Sequence, residues 1–227
     1  MISPDPLIEL KDVSFSYSFS FLGKRKLVLD NISCSINHGK LIFLQGTNGS
    51  GKTTFLKILA GLLHPSSGSI YRTNYPIVYI GHDFSLPQFL TPHQVISYVF
   101  SLRKKTITND QIFFYLEQVN LQNVAHQKIK SFSFGMCQRM MIAQALAQEP
   151  HLMLLDEPFS GIEKSLRPKI EELCLAQNNS RSTIYICHDE FAYAHDSAMI
   201  LHEGKLNTQG ASHQSRKEQV DYFRTRD

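Results

Sequence analysis

Apolar and polar positions alternate from residue 7 to residue 17, with Ile8, Leu10, Val13 and Phe15 on one face and a break in the beat at Lys11-Asp12. A period of two predicts a half-buried strand, and the break predicts a bulge or turn within it. Residues 27–36 repeat this character after Gly23-Lys24-Arg25-Lys26, which reads as a solvated basic loop. The opening therefore predicts two antiparallel strands. Leu41-Ile42-Phe43-Leu44 is a continuous apolar run, the pattern of a strand covered on both faces. The period then lengthens to that of an amphipathic helix over Phe55-Leu56-Lys57-Ile58-Leu59-Ala60, which Gly61 stops.

His64-Pro65-Ser66-Ser67-Gly68-Ser69 is turn chemistry, and Ile77-Val78-Tyr79-Ile80 reads as a short strand ending at Gly81. After Asp83 the pattern becomes helical. Thr91 caps a helix with Pro92 at its first position, and Thr108 and Gln111 have capping-box spacing ahead of an apolar run at 112–116. A further helix over 136–148 follows Ser133 and Gly135, a pair that suits either an N-cap or a second phosphate-binding helix start. Residues 151–156 and 182–187 read as buried strands, 198–206 as a strand with a tight turn, and 212–223 as a polar terminal helix. The expected fold is α/β in one domain. Residues 1–82 and 150–227 form the core with an antiparallel β subdomain, and 83–149 form an inserted α-helical subdomain.

Between the strand at 41–44 and the helix at 55–60 lies Gly46-Thr47-Asn48-Gly49-Ser50-Gly51-Lys52-Thr53-Thr54. It has a glycine, four residues, then Gly-Lys-Thr, the spacing of a phosphate loop, which makes the core a P-loop NTPase. Glycines keep Cβ atoms away and permit positive φ, so successive backbone N–H groups converge on phosphate oxygens at a helix N-terminus. Lys52 supplies a charge to the β- and γ-phosphates and Thr53 a hydroxyl for Mg²⁺. The loop on its own reads only as a binder of nucleoside triphosphates.

Two carboxylates, Asp156 and Glu157, end the strand at 151–156. Beside a phosphate loop the first is placed to hold Mg²⁺ through oxygen, and the second to polarise an attacking water. The strand at 182–187 delivers His188 to the same edge, where ligands of α/β sheets collect and an imidazole can bond the γ-phosphate. Tyr17, at the end of the first strand, offers a flat π face for an adenine ring or is an ordinary strand-end tyrosine.

Composition narrows the partners. A net charge of +3 over 227 residues is too weak to argue for nucleic acid, and 42% hydrophobic with 19% charged residues is ordinary for a globular chain. No apolar run approaches the roughly 20 residues that cross a bilayer, and the first residues do not read as a signal peptide. A cytoplasmic protein, held at the inner face of the membrane only by a partner, is the expectation. Cys34, Cys137, Cys174 and Cys187 are scattered, so neither a zinc site nor a disulfide framework is expected.

With these motifs in order, the chain resembles the ATP-binding subunit of ABC transporters over nearly its whole length. Phe132-Ser133-Phe134-Gly135-Met136-Cys137-Gln138-Arg139 is similar to the family signature, Phe159-Ser160-Gly161-Ile162-Glu163 to the D-loop, and His188 to the switch histidine. Tyr17 falls on the aromatic position that stacks on adenine. The resemblance implies an ATPase using ATP and Mg²⁺, with a separate integral membrane permease as partner. It also implies a head-to-tail pairing with a second ABC ATPase subunit, in which ATP lies between the phosphate loop of one copy and Ser133 and Gly135 of the other. Gly81-His82-Asp83 departs from the family, which has a glutamine there; Asp83 retains an oxygen for the metal. Phe134, Met136 and Glu163 replace a glycine, a glutamine and an aspartate. Tyr79-Ile80-Gly81-His82 is similar to the haem-exporter ATPase of cytochrome c maturation. The alternatives are an ABC-type ATPase driving a soluble assembly and a small-molecule kinase, which shares the loop but has no use for the signature helix.

Overall fold

Two sheets share one helix. The computed structural model describes residues 5–19, 24–81, 83, 85–176, 181–187 and 195–210. In the smaller sheet, β1 (Ile8–Phe19) pairs antiparallel with β2 (Lys24–Ile36) on one side and with β4 (Ser67–Arg72) on the other. The break at Lys11-Asp12 is a bulge: the register with β2 shifts between Leu10 and Val13, and Asp12 takes φ +50°. Ser33 holds it, accepting from the Asp12 amide at 2.9 Å and donating to Asp12 Oδ1 at 3.0 Å.

Two sequence expectations are corrected in this sheet. Lys24, Arg25 and Lys26 are not loop; they stand opposite Phe19, Ser18 and Tyr17 in the ladder. Backbone pairing extends the hairpin whatever the side chains, and lysines suit an edge strand that faces water. Part of the stretch read as turn chemistry, from Ser67 on, is β4. As an edge strand it shows only one inward apolar residue, Ile70, too little for an alternation to register.

The larger sheet runs β5 (Ile77–Ile80), β6 (Leu152–Asp156), β7 (Ser182–Ile186), β3 (Leu41–Gln45), β8 (Ser197–His202) and β9 (Lys205–Gly210), parallel except for β9. Successive strand residues point to opposite faces and so enter two different cores. Ile42, Leu44, Leu152, Leu154, Ile184 and Ile186 join α1 (Lys52–Leu59) and the small sheet on one side. Phe43, Met153, Leu155 and Tyr185 join α2 (Pro92–Leu102), α3 (Asn109–Gln118), α4 (Phe134–Leu146) and α5 (Arg167–Leu175) on the other.

At eight residues α1 is too short to persist alone. Phe55, Leu56, Ile58 and Leu59 are all fully buried between the sheets, each worth roughly 1.5–3 kcal/mol of burial, and these contacts hold it. Thr91 and Thr108 each form the reciprocal capping box with Gln94 and Gln111 that their spacing implies. Helix α5 was not anticipated from the pattern; its apolar residues are few, and Pro168 stands in its first turn. No helix among the described residues is long and apolar enough to cross a membrane. The expected terminal helix at 212–223 lies outside the described residues.

Candidate functional site

The chain leaves β3 and turns through residues 46–51 into α1, and the turn demands glycine at its ends. A Cβ on Gly46 would collide with the carbonyl oxygen of Leu201 in the neighbouring strand. Gly51 caps α1 at φ +103°, and a Cβ there would come within 2.9 Å of Val28 Cγ1. No side chain caps α1 and no acid lies in its first turn, so its N-terminal N–H groups and positive dipole end are available to an anion. Ser50 Oγ is buried without a hydrogen-bond partner among the described residues and lies against Gly46. An orphaned hydroxyl inside a glycine turn fits a ligand that accepts hydrogen bonds.

Lys52 folds back over this loop. Its Nζ donates to the carbonyl oxygens of Gly46 at 2.7 Å and Thr47 at 3.1 Å. Burial pulls the ammonium below its ordinary value, while Asp156 and Glu157 oppose the shift through their charge. Both carboxylates therefore act on the lysine, as their place at the end of β6 implies.

Asp156 is only 4% exposed and receives two hydroxyls on one oxygen. Thr53 Oγ1 donates to Oδ2 at 2.6 Å and the Tyr79 hydroxyl donates to the same atom at 3.3 Å. A hydroxyl and a carboxylate side by side are hard oxygen donors of the kind Mg²⁺ prefers. Among the described residues no group of three or more His, Cys, Asp and Glu residues could hold a metal ion. Glu157 follows in the left-handed region, φ +53°, with its amide donating to the Ile186 carbonyl at 3.2 Å. A non-glycine residue held there is strained, and such strain collects at functional turns.

Tyr17 reaches α1: its hydroxyl is 3.2 Å from Thr54 Oγ1, and its ring meets Phe15 edge-on with centroids 4.8 Å apart. Asp83 is held by Lys57 of α1 through a short ion pair. His82 and His188 lie outside the described residues. Ser133 is exposed at the start of α4, where its Oγ accepts from the Met136 amide at 3.2 Å. Gly135 packs on the backbone of Gly161, with no room for a Cβ, and the exposed ring of Phe134 lies where a Cβ on Gly161 would stand. The structure thus gathers Lys52, Thr53, Asp156 and Glu157 at one point. Gly135, two residues after the exposed Ser133 at the start of α4, packs instead on the turn at 159–162.

The family profile described as ABC transporter matches residues 29–160, more than half of the chain. The chain belongs to the ABC transporter family. An uncharacterized ABC transporter ATP-binding protein of Bacillus subtilis is 31% identical over 201 residues, covering 81% of this chain and 64% of that one. The spermidine/putrescine import ATP-binding protein of Legionella pneumophila is 30% identical over 221 residues, covering 90% and 59%. This ABC chain therefore spans less than two thirds of the length of either relative. Two solved structures share the fold. A dimeric ATP-binding cassette in a post-hydrolysis state bound to ADP and Pi has TM-score 0.79 at 23% identity, covering 89% of this chain and 98% of that one. The ATP-binding subunit of an ABC transporter has TM-score 0.76 at 24% identity, covering 96% and 98%.

Two residues of the ABC chain's site escaped the sequence reading. Lys57 looked like the polar member of a helix pattern, yet it is the partner of Asp83. Tyr79 looked like one more apolar strand residue. The sign that was available is register: Tyr79 pairs with Leu154, and Asp156, two residues on, shares that face.

Proposed function

We propose that this chain is the ATP-hydrolysing subunit of a transporter, working with a second ABC ATPase subunit and a separate integral membrane permease at the inner face of the membrane. The observation that carries the reading is the convergence of Lys52, Thr53 and the Asp156-Glu157 pair on the turn before α1. A kinase needs the loop, but has no need of a second acid in a left-handed turn beside the lysine.

Backbone N–H groups of residues 46–54 and the N-terminus of α1 bind the phosphates, and Tyr17 borders the adenine side. Lys52 exchanges the carbonyls of Gly46 and Thr47 for oxygens of the β- and γ-phosphates, keeping its charge where negative charge develops. Thr53 and Asp156 would hold Mg²⁺, with Asp83 near the same hydroxyl of Tyr79. The ion supplies Lewis-acid stabilisation of the phosphate oxygens when bound. Glu157 accepts a proton from the water whose oxygen attacks the γ-phosphorus. The bond to the bridging oxygen breaks, and ADP and phosphate leave. His188 positions the γ-phosphate, and Ser133 and Gly135 complete the phosphate contacts of a partner copy. Closing and opening of the pair drives the permease through residues 83–149.

Release of inorganic phosphate from ATP tests this. Glu157→Gln is expected to lower the rate at least a hundredfold and leave ATP binding intact. Wild-type turnover in that variant would remove Glu157 from the role of base.

A further inference from the structure

Tyr79 is 8% exposed, in the core between α1 and the parallel sheet. Its strand β5 is next to β6 in register, with Tyr79 beside Leu154. Side chains two apart on a strand share a face and stand about 6.6 Å apart along it. A tyrosine leaning along its strand covers that distance, so its hydroxyl arrives at Asp156, where it donates to Oδ2 at 3.3 Å. Room for this posture comes from Gly81, since a Cβ there would collide with the hydroxyl and the ring carbons around it. A phenol keeps its proton at physiological pH, so the Tyr79 hydroxyl is available there as a donor.

We propose that Tyr79 is a positioning residue for the metal-holding carboxylate: with Thr53 it pins Oδ2 of Asp156 and leaves the other oxygen, Oδ1, directed to the cation. This rests on the reading of Asp156 given above. The two donors converge on one oxygen from different elements, β5 and α1, so the carboxylate cannot rotate without breaking one of them. Hydrogen bonds to a charged acceptor are the stronger class, and partners behind a metal ligand commonly change metal affinity tenfold or more when removed. Thr53 alone leaves the carboxylate free to swing about a single bond. The second donor is what makes its orientation unique.

The test reads metal binding rather than turnover. Mn²⁺ titrated into the full chain with a non-hydrolysable ATP analogue, followed by the paramagnetic resonance signal of free Mn²⁺, is compared in wild type, Tyr79→Phe and Asp156→Asn. Tyr79→Phe keeps the buried ring and removes the donor. It is expected to weaken Mn²⁺ about tenfold, with nucleotide affinity measured without metal unchanged. Gly81→Ala, which displaces the hydroxyl without deleting it, is expected to do the same. Unaltered Mn²⁺ affinity in Tyr79→Phe, while Asp156→Asn loses it, overturns the role of Tyr79 and leaves Asp156 in place. Unaltered affinity in both overturns the reading of Asp156 as well.

Discussion

Lys52 Nζ lies 2.7 Å from the carbonyl oxygen of Gly46, six residues earlier in its own loop. The ammonium therefore holds the loop closed on itself, and under the proposed function phosphate oxygens replace this carbonyl and that of Thr47 as its acceptors. Lys52→Ala is expected to weaken ATP ten- to a hundredfold in a fluorescent-nucleotide titration, the scale of about 1.5–3 kcal/mol for one hydrogen bond to a charged group. Equal affinity would remove Lys52 from phosphate binding.

The loop's shape depends on missing side chains. Gly46→Ala sets a methyl against the Leu201 carbonyl, and Gly51→Ala adds strain at φ +103° and a contact at Val28. Each is expected to cost about 1–3 kcal/mol in urea unfolding and to lose nucleotide binding. A variant with unchanged midpoint and affinity would show that the backbone relaxes at no cost.

Asp83 is tied to Lys57, yet it is 62% exposed, so the pair contributes little to stability. Asp83→Gln is expected to leave the melting temperature nearly unchanged while shifting the Mg²⁺ concentration that gives half-maximal turnover. Lys57→Met is expected to shift it too, because it frees the same carboxylate. Superimposable magnesium titrations would make Asp83 a bystander.

His151 provides a pH prediction. Its ring stacks on Tyr75 with centroids 4.3 Å apart, and burial, followed by the nearby His38, lowers its value below the ordinary 6.5. The folded state therefore prefers the neutral imidazole, and between the two values the unfolded chain binds more protons. Its contribution is complete above about pH 6.5 and is lost as pH falls through the interval down to the lowered value. His151→Phe keeps the ring stack and removes the titration. Urea midpoints at pH 7.5 and 5.5 are expected to separate less in the variant than in wild type, and an equal separation would refute the assignment.

Glycine spacing, Thr91 and Thr108 with their glutamines, and the apolar run ending in Asp156-Glu157 act over a few residues, so the chain order alone revealed the loop, the caps and the buried strands. Helix α5 and strand β4 were hidden because neither has a strong apolar stripe; they form where partners supply the missing stabilisation. Nothing local tied Lys57 to Asp83, 26 residues away, or Tyr79 to Asp156, 77 residues away. Those contacts depend on which strands become neighbours and in what register. Burial of two whole sheet faces settles that, and no short stretch contains it.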